Sequence, residues 1–224
     1  MRSVRLVDDP KFSVIVADPP WRYYNWTDAL NGAAAAHYGT MADEEIAAIP
    51  VGSWADDNCI LACWGTWVKM AVLQRLCLPA WGFEHVTGFP WIKVLPQRLI
   101  QGKIGIGFWT SAVSEYVVIA RRGKNPERIA KTKNAVGLLH GDQRVFWSPR
   151  TNHSEKPRDV QDWLSEQFDG PYLELFAREK HPGWTCWGGD LGFLLTPGGV
   201  RRCEPPATKP MPLFDTAKES PDRG

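Results

Sequence analysis

The chain has 224 residues, 44% of them hydrophobic and 23% charged, which suffices for one large globular domain with a buried core. Its 26 basic and 25 acidic residues leave a formal charge of +1, which excludes a histone-like surface that grips phosphate everywhere. No run approaches the roughly 18 apolar residues of a membrane span, the first residues (MRSVRLVDDPKF) hold no apolar leader core, and the five cysteines form no CxxC. These features predict a cytoplasmic protein with no membrane contact, disulfide framework or metal site.

Phe12 to Ala17 (FSVIVA) is a continuous apolar run, as for a strand buried on both faces. Residues 43–49 read as a short helix, with Thr40 as its cap and Pro50 as its stop. Residues 59–64 (CILACW) predict a second buried strand, and residues 66–77 a helix ending before Pro79. Residues 84–94 read as a strand, although Gly88 and Pro90 oppose a simple central position. Residues 115–120 (EYVVIA) predict another strand. Residues 157–168 predict a helix capped by Ser154, with Val160, Trp163, Leu164 and Phe168 on one face. Residues 172–177 (YLELFA) predict a strand, with one more at Thr185 to Trp187. This alternation implies an α/β fold with a largely parallel sheet, which binds ligands at the carboxyl ends of its strands. From Thr196 the chain turns to proline, glycine and charge, so residues 1–195 read as the domain and 196–224 as a flexible tail.

Twelve tryptophans are many for this length, so each is weighed as core packing or as a plate for a nucleobase. Asp18-Pro19-Pro20-Trp21 directly follows the first strand. The carboxylate and the two proline carbonyls make a rim that only accepts hydrogen bonds, since proline has no N–H. Such a rim suits an exocyclic amino group, and Trp21 adds a ring face. A tight turn with a buried tryptophan is the plainer alternative. GKIGIGFW lacks the GxGxxG order of a dinucleotide site. Residues 121–133 carry six basic residues and one acid at the end of a predicted strand, so Arg121 and Arg122 are candidates to grip phosphate.

The DPPW tetrapeptide resembles that of the adenine N6-methyltransferases that include the eukaryotic messenger-RNA adenosine enzyme and its bacterial and phage relatives. Four more elements are similar to that family in the same order. They are Tyr38-Gly39-Thr40-Met41, then Gly105-x-Gly107-Phe108-Trp109 leading to Glu115. His153-Ser154-Glu155-Lys156-Pro157 follows, and then Glu174-Leu175-Phe176-Ala177-Arg178 with Gly183-Trp184 and Trp187-Gly188. The resemblance spans roughly residues 12–190. It implies a circularly permuted Rossmann-like fold with helices on both sheet faces. It also implies S-adenosyl-L-methionine as cofactor and nucleic acid as substrate, DNA before RNA. Asp18, Pro19, Pro20 and Trp21 are then the catalytic residues. Lys156 would meet the methionine carboxylate, and Glu174, Phe176, Arg178, Gly188 and Asp190 would line the cofactor site. Tyr24, Tyr38 and Trp109, with Arg121 and Arg122, would meet the substrate. Where members carry Gly-Asn-Glu or Gly-Asn-Gln, this chain has Gly188-Gly189-Asp190, and Ser111 stands where many microbial members have arginine. A non-catalytic nucleic-acid-binding scaffold subunit is the rival expectation. Met211-Pro212-Leu213-Phe214 is similar to peptides that dock on bacterial sliding clamps, without their leading glutamine.

Overall fold

In the computed structural model, β1 (Phe12–Ala17) is buried at every position, as its apolar run predicts. The structure describes residues 10–23, 39–94, 114–124, 129–131, 146–149 and 156–205. Alternate β1 side chains serve two cores. Phe12, Ile15 and Ala17 pack on one face of the sheet, and Val14 and Val16 on the other. Burying each of the valine, isoleucine and phenylalanine side chains contributes roughly 1.5–3 kcal/mol.

After β1 come two short helices, α1 (Asp43–Ala47) and α2 (Val51–Trp54), and then β2 (Ala55–Gly65). Thr40 does not cap α1; Ala42 occupies that place, and its N–H donates to Glu45 Oε2 at 2.7 Å. The helical stretch α3 covers residues 67–81, four beyond the expected end. It passes through Pro79 because a π turn, Leu73–Cys77, precedes the proline. The widened turn relieves the clash between the ring and the preceding carbonyls. The stop is Gly82 at φ 74, a left-handed cap that glycine adopts without strain.

β3 (Glu84–Val94), β4 (Ser114–Arg122) and β5 (Phe146–Pro149) follow. Gly88 belongs inside β3, because a Cβ there would stand 2.5 Å from Val117 O. Pro90 lies just ahead of Trp91, where β5 begins to pair with β3. Helix α4 (Asp159–Gln167), β6 (Tyr172–Leu175) and β7 (Trp184–Trp187) complete the sheet, in the order β5-β3-β4-β2-β1-β6-β7. Ser154, the expected cap of α4, lies outside the described residues.

The sheet is mixed. β1 pairs parallel with β2 and β6, as do β6 with β7 and β3 with β5. β4 runs antiparallel to both of its neighbours, β2 and β3. Helices α1 to α3 cover one face and α4 the other. Among the described residues no helix is long and apolar enough to cross a membrane.

Most described tryptophans build core rather than plates. Trp21, Trp54, Trp64, Trp81, Trp91, Trp163 and Trp187 are all buried, and Trp54 meets Trp187 edge-on at 5.2 Å. A last hairpin, β8 (Phe193–Thr196) with β9 (Gly199–Arg202), was not expected. It places residues 199–202 in a strand, where the composition suggests tail. Thr196-Pro197-Gly198-Gly199 makes its turn, closed by Thr196 Oγ1 on Gly199 O at 2.9 Å with Gly199 at φ 106. Residues 206–224, including the clamp-like segment, lie outside the described residues.

Candidate active site

Asp18 leaves the carboxyl end of β1, where the chain's neighbours diverge: β2 lies to one side and β6 to the other. Such a switch point is where an open α/β sheet forms a crevice. Asp18 N–H donates to Leu175 O at 3.4 Å, which ties it to the end of β6. The next residues make a pinned turn. Trp21 N–H donates to Pro19 O at 2.8 Å, and Met41 N–H to Pro20 O at 2.9 Å. Each proline carbonyl thus spends one lone pair on the turn and keeps one. Trp21 is not an open plate. It is buried, and its Nε1 donates to Trp64 O at 3.2 Å.

The charged centre joins three elements. Lys156 Nζ lies 3.1 Å from Asp18 Oδ2 and 3.1 Å from Glu115 Oε2. It also stands 5.7 Å from the Trp64 ring centroid. Glu115 arrives at this edge because β4 is antiparallel, which turns its amino end toward the carboxyl ends of β1 and β2. Burial pushes the Asp18 carboxyl up, against the opposing pull of Lys156. Burial by itself would lower Lys156, but the two carboxylates outweigh it and hold the ammonium above its usual range. Tyr23 lies beside them, its hydroxyl 3.0 Å from Thr66 Oγ1, and burial pushes its phenol up to about 12.

A cavity of about 430 Å³ opens above this centre. Asp18, Pro19, Pro20, Thr66, Glu115 and Lys156 line it. So do Phe176, Arg178, Gly188, Asp190 and the hairpin leucines Leu194 and Leu195. Phe176 holds φ 63, a left-handed conformation costly for a bulky residue, at the turn out of β6. Gly188 is required by close approach: a Cβ there would stand 1.9 Å from Ala177 O and 2.6 Å from Ala177 N. The neighbouring Gly189 is open, with nothing within 4 Å of such a Cβ.

Not every expected residue converges here. Glu174 points to the α4 face, where its Oε1 accepts from Gln161 Nε2 at 3.2 Å. Its Oε2 lies 2.9 Å from His181 Nε2, close but without the angle of a hydrogen bond. It does not line the cavity, because adjacent strand residues face opposite sides of the sheet. Arg121 and Arg122 sit at the wrong edge altogether. Placing them near the site assumed a parallel strand, and β4 is antiparallel, so its carboxyl end lies far from Asp18. Arg121 instead pairs with Glu84 at 3.0 Å, and Arg122 donates to Gly52 O. Tyr24, Tyr38 and Trp109 lie outside the described residues.

The family match covers every part of the site except the hairpin residues. The MT-A70 family profile matches residues 12–190. The chain belongs to the MT-A70 family. Its adenine methyltransferase class, its α/β Rossmann-like fold and its standing as an enzyme agree with what the five ordered motifs imply. It is 32% identical to the type II methyltransferase M.MunI of a Mycoplasma species, over 81% of this chain and 78% of that protein. It is 29% identical to the human N(6)-adenine-specific methyltransferase METTL4, over 80% of this chain and 37% of that protein. It is also 29% identical to METTL3, the human N(6)-adenosine-methyltransferase catalytic subunit, over 86% of this chain and 30% of that protein. The chain thus spans about a third of each human relative's length.

In this MT-A70 chain the sequence motifs mark Asp18, Lys156 and the glycine turn, but not Thr66 or the hairpin. Nor do they reveal the ion pair that joins Glu115 to Lys156. Glu115 and Lys156 each belong to one of the motifs, but nothing in the sequence joins the two. Two results test the framework around the site. Gly188→Ala drives a methyl group into fixed Ala177 backbone, and is expected to weaken ligand binding in this cavity at least about tenfold. Gly189→Ala serves as the tolerated neighbour in the same titration. Glu174 is pushed up to about 7 by burial, above the usual 4.5. Its folded form therefore holds a proton that the unfolded form gives up, and stability falls as pH rises from about 4.5 through about 7. Glu174→Gln removes that contribution, so its thermal midpoint should drop less than the parent's between pH 5 and pH 8.

Proposed function

We propose that this protein methylates N6 of adenine in nucleic acid, DNA before RNA, using S-adenosyl-L-methionine. The single observation that carries this is Asp18, which lines the cavity with the two proline residues and pairs with the Lys156 ammonium. The cavity suits the cofactor. Asp190 and Arg178 offer hydrogen bonds, Phe176 and the hairpin leucines offer apolar wall, and Gly189 leaves open space beside them. When bound, S-adenosyl-L-methionine supplies an electrophilic methyl group.

The chain's own work is positioning and charge. The amino nitrogen of adenine is a poor nucleophile, because its lone pair is delocalised into the ring. Asp18 accepts one amino hydrogen, and the free lone pair of the Pro19 carbonyl accepts the other. That favours a more tetrahedral nitrogen with its lone pair directed into the cavity. As the nitrogen gains a bond it becomes acidic, and Asp18 is the first acceptor for the released proton. Burial prepares it for that role by raising its proton affinity. Lys156 keeps the adjoining carboxylates from repelling one another and would meet the methionine carboxylate of the bound cofactor. The base leaves its stack at a cost of roughly a few kcal/mol.

DNA is preferred because the relative named a type II methyltransferase is matched over 78% of its length, against 30% for the adenosine-named human subunit. Mass spectrometry of nucleosides tests both, after incubation with isotopically labelled cofactor and either DNA or RNA. Label in N6-methyldeoxyadenosine alone is expected. Label in neither nucleic acid overturns the reading.

A further inference from the structure

Lys69 is almost completely buried, which is rare for lysine without a partner. It sits in the first turn of α3, three residues after Thr66, which lines the cavity. Its ammonium bonds Asp43 Oδ1 at 2.6 Å, at the start of α1. It also stands 5.9 Å from the Trp21 ring centroid and 5.5 Å from that of Tyr23. Both distances allow a cation to be drawn to the ring face. One buried charge therefore joins three segments: α1, α3 and the turn that follows Asp18. The joined pieces are already close. Met41, two residues before Asp43, bonds Pro20 and Arg22 through its backbone, and Tyr23 bonds Thr66.

We propose that Lys69 is a positioning residue for methyl transfer. Its ammonium holds Trp21 and Tyr23 in place, and so sets where adenine rests relative to Asp18. This rests on the adenine reading above. Lys69 is not among the residues that line the cavity, so its influence passes through the two rings. Burying an ammonium is costly, and the Asp43 pair with the two ring faces offsets that cost. A methionine of similar length fills the same space without the charge. The two rings then lose the cation they share and keep only the Trp21–Trp64 and Tyr23–Thr66 hydrogen bonds, so the substrate base loses its register against Asp18. Arginine keeps both the charge and the affinity for ring faces.

The test uses the full chain, S-adenosyl-L-methionine, and the nucleic acid that the wild type labels. Lys69→Met should cut single-turnover transfer at saturating cofactor by about tenfold or more, since small misplacements of a reacting group carry large rate penalties. The KM for nucleic acid should rise, while cofactor affinity by calorimetry stays within about twofold. Lys69→Arg should restore most of the transfer rate. Wild-type transfer by a folded Lys69→Met protein overturns the proposal. So does a cofactor-affinity loss equal to the rate loss, or failure of a folded Lys69→Arg to rescue. Should Lys69→Met not fold, Asp43→Asn carries the test: it loosens the ammonium without removing it. The same split between rate and cofactor affinity is expected, at smaller size, and an unchanged rate overturns the proposal. A wild type that labels no nucleic acid defeats the adenine reading instead, whatever the variants do.

Discussion

Asp18→Ala should lower methyl transfer by about 100-fold or more while leaving the fold intact. A lost charge-assisted hydrogen bond is worth about 1.5–3 kcal/mol. Misorientation of the amino group adds to that loss, because the Pro19 carbonyl cannot hold both hydrogens with the one lone pair its turn leaves free. The fold should survive, since Lys156 retains Glu115 at 3.1 Å and is not left as an unpaired buried charge. Asp18→Asn keeps the shape but presents an NH₂ to the substrate amino group, donor to donor, so it too should be severely impaired. Single-turnover transfer at saturating cofactor decides the matter, with circular dichroism as the check on folding. A well-folded Asp18→Ala protein that transfers at near-wild-type rate would remove Asp18 from catalysis.

Lys156→Met should be the second large effect, with a signature of its own. Removing the ammonium leaves Asp18 and Glu115 facing each other in a buried site, each already within reach of the same lost cation. Like charges this close raise the pKa of at least one partner. Asp18 is already raised by burial, and it rises further. Its ionised, hydrogen-accepting fraction at neutral pH therefore falls, and transfer falls with it, by roughly 100-fold given the barrier cost of losing one charged acceptor. Because the defect is excess protonation, rate should recover as pH is raised. The parent should show no such climb, since Lys156 remains charged there. Cofactor affinity should also weaken if Lys156 meets the methionine carboxylate. A weaker affinity with an unchanged pH–rate profile would assign Lys156 to the cofactor alone.

The resemblance to the adenine methyltransferases was legible because its elements are local. Asp18-Pro19-Pro20-Trp21 is contiguous, and its chemistry follows from residue type. A carboxylate after a buried apolar run lies at the ligand edge of a sheet, whatever the neighbouring strands do. β1 itself matched its expected bounds, because a six-residue run without charge has little choice but to be buried. The glycine turn was legible for a similar reason: Gly188 directly follows Trp187 in the motif, although its crowding of Ala177 is visible only in the fold.

What failed depended on partners distant in the chain. Arg121 and Arg122 were misplaced because an isolated strand does not reveal its direction, and reversing β4 exchanges which end meets the site. The same reversal delivers Glu115 to Lys156, a pairing of residues 41 positions apart that no local pattern encodes. Glu174 was drawn toward the cofactor by its place in the motif, yet the two-residue period of β6 turns it to the opposite face. The tryptophans followed the same division. Their number was plain in the composition, but only packing shows Trp21 as core and Lys69 beneath it. By itself, then, the sequence determined the chemistry at the end of β1, the alternating α/β elements and the family they belong to, because these rest on residue type and short-range order. Tertiary structure alone decided strand direction, the charges that surround Asp18 and the hairpin that walls the cavity, because each arises from segments meeting across the fold.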